Sequence, residues 1–544
     1  MAIIVRRVNS VRSELPKLKL KRLFVLTILS FSSFYVQADW RFAPAIETRL
    51  DAYDRTFENG VTAKDEVLSL EPKLNAIFDG HKVDGSFSVK HTRILPNDDE
   101  LSKARSYTSY GVNAKSEFLD NLLKFQLMAD QDYLVRDPSD SLSSSTVTAP
   151  ERFTKVRRMS GSLLFSLPNP VWFGMDMGGQ ASKSEADAIE GPDTPGFNNE
   201  TYGANVRFYR GKNIRYVDWN ISASYNNTKR EVSDDFESRV VNAKFSFPLF
   251  MKDLRFVLTG QDEKNEFGSN RVEFSDAYDQ TSYGAGLEWF VSDSRYITVT
   301  VNRIEKSLND QEQDYLGLDL KWAFSSRTSI GANYGKRFYG DSYDFSLIHS
   351  TRDIRTLIGY HESITTRSRI TQNNVDMVIV CPVGDTQFEN CFQPEVGYEL
   401  LPGEQSFDFQ QQVPELSEEV YLRKSANIDL SWTRRKLTLG IGANKGSTDY
   451  LESNRQRDNQ SIAIRAIYKL NRTTDVNFSA NVAEYQFETE EVPDKTQTVG
   501  LGLTKELGRN ITTSVNLRYL DRDSSQPSNT LIDKRISASL TYNF

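Results

Sequence analysis

The sequence predicts an all-β fold, a transmembrane antiparallel up-and-down β-barrel of about 24 strands, within a range of about 22 to 26. Three observations predict it. A basic and then apolar leader opens the chain, long alternating strands joined by turns of two very different lengths fill it, and RISASLTYNF closes it on Phe544.

The leader comes first. Arg6, Arg7, Arg12, Lys17, Lys19, Lys21 and Arg22 against Glu14 give residues 1–38 a charge of +6. LFVLTILSFSSFYVQA follows and ends on the small-residue pattern Val36-Gln37-Ala38. Its apolar run is shorter than the roughly 20 residues that a spanning helix needs. Residues 1–38 therefore read as a signal peptide cut near Ala38, and residues 39–544 as the barrel. Removing the leader takes the net charge from −8 to −14 (−8 less +6), which argues against nucleic acid as a partner.

Composition agrees with an exported strand protein. Apolar residues are 38% and charged residues 26%, too polar for a helical membrane protein, while 24 Tyr and 32 Phe suit strands.

From Trp40 the chain repeats one unit, an alternating strand, a tight turn, another alternating strand and a longer acidic loop. In TSYGAGLEWFVSDSRYITVTVNRIEKS, Tyr283, Ala285, Leu287 and Trp289 share one face, and Ile297, Val299 and Val301 share it after the turn. Eleven tight turns run from Gly80-His81 and Asp120-Asn121 to Asn471-Arg472 and Gly508-Arg509, and they imply 24 strands. Spread over residues 39–544, that is about 21 residues per strand and connection, a length suited to tilted crossing of a bilayer. All six tryptophans support one membrane edge: Trp40 opens the first strand, and Trp172, Trp219, Trp289, Trp322 and Trp432 lie beside tight turns.

If the apolar rows face lipid, their neighbours face a polar, hydroxyl-rich lumen of mixed charge. The candidate pore-lining residues are Arg207, Lys244, Glu288, Asn302, Asp319, Lys321, Asp429, Asn516 and Arg518. Asn, Ser and Thr on such a wall exchange hydrogen bonds with sugar hydroxyls as readily as with water. The first strand starts within a few residues of the cleavage site, so no N-terminal plug domain is expected. A long loop at about residues 366–417 holds both cysteines, Cys381 and Cys391, which read as a disulfide in an exported chain. That loop folds into the pore or stands outside it.

Catalytic chemistry is not expected. His349 lies on the outward row of Tyr343, Phe345 and Leu347 without a nucleophile beside it, and His361 follows Tyr360 toward the inside. No phosphate-binding loop, zinc spacing or calcium loop occurs, so neither cofactor nor metal is predicted.

Residues 325–366 resemble the outer-membrane barrel family associated with exosortase and PEP-CTERM protein-sorting systems. The matching elements are Arg327-Thr328-Ser329, Arg337-Phe338-Tyr339-Gly340, Ser342-Tyr343, Ser350-Thr351-Arg352 and Tyr360-His361-Glu362 before Thr365-Thr366. The resemblance implies a channel or scaffold in the Gram-negative outer membrane, supporting export or assembly of an extracellular polysaccharide with export components as partners. It supplies no catalytic residues. A general diffusion porin for small polar solutes and a surface adhesin or matrix anchor are the alternatives.

The last strand is similar to the C-terminal signal by which outer-membrane proteins meet the barrel-assembly machinery. Leu540, Tyr542 and Phe544 share its apolar face, which is expected to look to lipid.

Overall fold

In a computed structural model the described residues are 38–544, apart from 98–103, 136–144, 168–169, 189–195, 232–233, 252, 268–278, 307–312, 367–377, 383–403, 409–419, 452–454, 488–491 and 526–528. Almost all of them are strand. In chain order these are β1 (Ala38–Phe57), β2 (Thr62–Gly80), β3 (Val83–Pro96), β4 (Arg105–Phe118), β5 (Leu123–Val135), β6 (Phe153–Ser166), β7 (Phe173–Ala186), β8 (Phe197–Arg210) and β9 (Asp218–Lys229). There follow β10 (Phe236–Pro248), β11 (Leu254–Phe267), β12 (Gln280–Ser292), β13 (Arg295–Lys306), β14 (Gln313–Ser325), β15 (Thr328–Arg337), β16 (Gly340–Ser350), β17 (Ile354–Thr366), β18 (Val378–Pro382) and β19 (Glu404–Asp408). The chain closes with β20 (Val420–Arg434), β21 (Leu437–Tyr450), β22 (Arg455–Asn471), β23 (Thr474–Phe487), β24 (Asp494–Leu507), β25 (Ile511–Asp523) and β26 (Leu531–Asn543).

Twenty-four of these strands form one antiparallel sheet in sequence order, and β26 pairs with β1 to close the ring. Closure satisfies every sheet edge, which a spanning sheet requires in hydrocarbon. The final strand fits both neighbours, with Tyr542 opposite Ile46 of β1 and opposite Ile511 of β25. Phe544 extends that pairing by donating its backbone N–H to the carbonyl of Pro44.

All eleven expected tight-turn positions lie between strands that pair with each other, those at 168–169 and at 252 falling outside the described residues. Outside the ring, β18 and β19 form a separate two-stranded hairpin between β17 and β20. Cys391 lies outside the described residues, and so does most of the 366–417 segment.

Alternation decides the two faces. Leu287, Trp289, Val299, Val301, Leu316, Leu501 and Ile536 are all about half exposed, as are Leu540, Tyr542 and Phe544. Such a continuous apolar exterior is stable only against lipid. Its aromatics gather at the tight-turn end, where Trp40 packs on Phe42 and Phe78, Trp289 on Trp322, and Tyr542 on Phe544. The tight-turn end is the periplasmic one in barrels of this kind, and the long loops face outward.

Candidate functional site: the polar inner wall

The polar rows lie on the concave side, because their side chains meet across strands that are not neighbours. Lys244 of β10 reaches Glu288 of β12 at 2.7 Å and Asp319 of β14 at 3.3 Å. Arg337 of β15 binds Glu263 of β11 through both carboxylate oxygens, at 2.5 and 3.0 Å. Strands lie about 4.8 Å apart in the hydrogen-bonding direction, so only inward curvature allows these contacts.

The curvature is sharpest at β12. Cα atoms of β11 and β13 approach within 8 Å although β12 runs between them. Glycine makes the crease possible: a Cβ on Gly286 would overlap the carbonyl of Val299, and one on Gly284 would overlap the amide of Asn302.

Inside the crease the polar groups satisfy one another. Thr298 donates to Glu288 (2.9 Å), Arg255 lies 3.5 Å from Glu288 and 3.0 Å from Asp218, and the Lys244 ammonium sits over the Tyr296 ring. Thr259 donates to Asn302, which donates to Thr300, both at 2.9 Å. Beside this cluster opens a recess of about 410 Å³ whose polar lining includes Asn220, Asn242, Gln261, Asn302, Tyr315 and Asn333.

Four of the nine sequence-derived lining candidates, Lys244, Glu288, Asn302 and Asp319, thus belong to one patch. Lys321 stands one alternation step beyond Asp319, opposite Tyr296 and Gly331. Arg207 of β8 borders the recess, standing opposite Ser222, donating to Asn220 of the lining at 3.1 Å and lying against the Tyr209 ring. Asp429, Asn516 and Arg518 stand elsewhere on the ring. β25, which carries the last two, is eleven strands round from β12. Asn516 donates to Ser514, Arg518 lies opposite Arg535, and Asp429 is buried opposite Leu357.

His361 contacts Asp344 at 2.7 Å across β16 and β17, and His349 shares a hydrogen bond with Thr328. Among the described residues no group of three His, Cys, Asp or Glu could hold a metal.

Sequence reasoning missed a second element of the mouth. The connection between β5 and β6 folds inward over residues 145–152, ending in a single 3₁₀ turn at Pro150–Arg152. Val147 packs with Val67 and Ile94 against Tyr53 and Tyr107, four strands' worth of inner wall. Thr148 accepts from Arg55 through its carbonyl and from Arg535 through its hydroxyl, and Arg152 donates to Asn529 in the β25–β26 connection. A lone Val in a Ser/Thr-rich loop was the available signal.

These features define the class of the protein: a closed transmembrane β-barrel of outer-membrane type, channel-like, with a polar inner wall. No protein-family model matches the chain, and no curated protein matches it either. Among solved structures it is similar to the siderophore receptor PirA from Acinetobacter baumannii, at 9% identity over 92% of this chain and 80% of that one, with a TM-score of 0.42. It is similar to the FrpB iron transporter from Neisseria meningitidis at 10% identity, covering 92% and 82%, with a TM-score of 0.41. The OpdK structure from Pseudomonas aeruginosa with vanillate matches at 9% identity over 92% and 99%, with a TM-score of 0.33.

Proposed function

We propose that this barrel is an outer-membrane channel or scaffold that supports export or assembly of an extracellular polysaccharide. The observation that carries the reading is the inner wall at β8–β15, where amides and hydroxyls line a recess of about 410 Å³ and the charges beside it, Lys244 with Glu288 and Arg255 with Asp218, are neutralised in pairs. Such a surface exchanges hydrogen bonds with sugar hydroxyls in place of water. The likeness of residues 325–366 to barrels of exosortase-associated systems supports the same cargo.

In this reading the leader directs export, and Leu540, Tyr542 and Phe544 present the last strand to the assembly machinery. Arg207, Lys244, Glu288, Asn302, Asp319, Lys321, Asp429, Asn516 and Arg518 line the passage, which carries solute and performs no catalysis. Energy for moving a polymer comes from partners on the periplasmic side.

A strain lacking the gene should secrete markedly less polymer, and normal secretion would end the export reading. Planar-bilayer recordings separate the alternatives: conductance to small ions and sugars with normal secretion favours a diffusion porin, and no conductance with lost matrix attachment favours an anchor.

A further inference from the structure

We infer that the inner wall carries an arginine staircase that guides an acidic polysaccharide through the barrel. This rests on the export reading and names its cargo class, a polymer bearing carboxylate groups. It comes from the register of eight strands. Arg355 of β17 stands opposite Ser431, Ser431 opposite Gly440, Gly440 opposite Arg465 and Arg465 opposite Ser479. Ser479 is then opposite Gly500, Gly500 opposite Arg518 and Arg518 opposite Arg535 of β26. The row reads Arg, Ser, Gly, Arg, Ser, Gly, Arg, Arg: four guanidinium groups and no carboxylate.

The row lies on the inner face. Its outward neighbours include Leu430, Ile464, Leu501, Leu517 and Ile536, all exposed apolar residues. With strands about 4.8 Å apart, Arg355 to Arg465 and Arg465 to Arg518 are each steps of roughly 14 Å along the wall. Serine and glycine between them leave the floor low.

A hydrogen-bonded row runs across the strands, so in a barrel whose strands tilt by about 40° it climbs about 20 Å over seven steps of about 4.8 Å. Position within each strand agrees. Arg355 is second in β17, next to the tight turn at 351–353, whereas Arg535 is fifth from the long-loop end of β26. The track therefore starts near the periplasmic rim and ends in the outer half, beside Arg55 and under Thr148 of the inward loop.

Fold stability does not explain the pattern. Like charges directly opposite each other, as Arg518 and Arg535 are, destabilise a strand pair. Asp533 mitigates this end, lying 3.0 Å from Arg55 and 3.2 Å from Arg535. Only one other carboxylate, Asp429, occupies the adjacent row on the outer side. Among the described residues neither Arg355 nor Arg465 has an ion pair. In a mature chain with excess acid, Arg355 and Arg465 are therefore held for something other than self-neutralisation. Arginine's planar fork matches a carboxylate, and spaced forks favour a repeating anion over a single one.

The test uses the full-length barrel in planar bilayers under a KCl gradient, with oligogalacturonate or a neutral dextran oligomer of equal length added at the periplasmic side. Wild-type protein should be anion-selective, and the carboxylated oligomer should block current at a concentration at least about 10-fold lower than dextran. The double variant Arg355→Ser/Arg465→Ser should move the reversal potential toward cations and shrink that difference to about 3-fold or less. Heat-modifiable gel migration checks that the variant is folded. Cation selectivity in wild type, or an unchanged reversal potential and block in the folded variant, would overturn the staircase. If no current is seen, titration of tryptophan fluorescence with oligogalacturonate decides, and absence of saturable binding overturns it. Anion selectivity with normal polymer secretion in the deletion strain would sink the export reading alone; lost secretion with no charge preference would sink the staircase alone.

Discussion

Glu288 shows how one side chain governs the crease. Its carboxylate is 4% exposed and meets Lys244, Arg255 and Thr298. Glu288→Gln keeps the shape but leaves two cations facing a neutral amide, and breaking such a buried set costs about 3 kcal/mol. Urea unfolding of the barrel in lipid vesicles should register that loss, and an unchanged midpoint would show that the cations find other partners. Gly286→Val acts through volume instead: its side chain would drive into the Val299 carbonyl, and overpacking costs about 1–3 kcal/mol. The folded, heat-modifiable band should then melt at lower temperature. At the rim Asp187, just past β7, behaves differently. Burial raises its carboxyl, but hydrogen bonds from Lys155 and Arg157 outweigh this and hold it below the usual range. Both partners lie at 2.8 Å. The depressed value means that its contribution is present above the ordinary carboxylate pKa and lost as pH falls through the folded one. Asp187 is 42% exposed, so the effect is worth about 1 kcal/mol at most. Amide exchange at the β7 end should quicken below about pH 4 in wild type and not in Asp187→Asn.

At the scale of elements, the hairpins follow turn chemistry. The β4–β5 turn holds Leu119, Asp120 and Asn121 at positive φ, the β24–β25 turn holds Gly508 at +84°, and Gly340 at +109° begins β16 after the two-residue outer turn Phe338-Tyr339. Each tight turn was legible because polar or glycine residues interrupt two alternating runs. The last strand is the element with most leverage. Its outward row of Ile536, Leu540, Tyr542 and Phe544 meets lipid, and Phe544 caps β1 through Pro44. Deleting Phe544 should lower the folded fraction in outer-membrane preparations several-fold without changing total synthesis, and equal recovery would count against an assembly role. Loop elements were less readable. The cysteines mark the 366–417 segment, most of which lies outside the described residues, whereas among the described residues the β5–β6 connection enters the mouth. Its anchor is a single valine whose partners Val67 and Ile94 sit on distant strands, so a lone apolar residue in a Ser/Thr-rich run is the local mark it leaves.

For the whole molecule the relevant quantity is the passage. Residues 145–152 span the inner wall from β5 round to β26 and cover part of the mouth. Val147→Asp places a charge among apolar side chains and should release that segment. Single-channel conductance is then expected to rise, and an unchanged value would mean that the loop does not narrow the conducting path. Alternation with period two fixed, from sequence alone, the strand character, the apolar exterior and the polar interior. Spacing of tight and long connections gave about 24 strands, within a range of about 22 to 26, and their antiparallel order, since each short turn forces its two strands to be neighbours; pairing of β26 with β1 settles the ring at 24. The same reading could place Arg355, Arg465, Arg518 and Arg535 on the inside, but not beside one another. Register between strands depends on how far each is shifted against the next, and one strand's alternation is satisfied by every shift of two. Curvature is likewise invisible locally, because Gly284 and Gly286 crease the wall only where β11 and β13 close over them. The arginine row, the Lys244–Glu288–Asp319 cluster and the inward loop were therefore decided by the tertiary structure, which alone sets which inward side chains share a height and a side of the barrel.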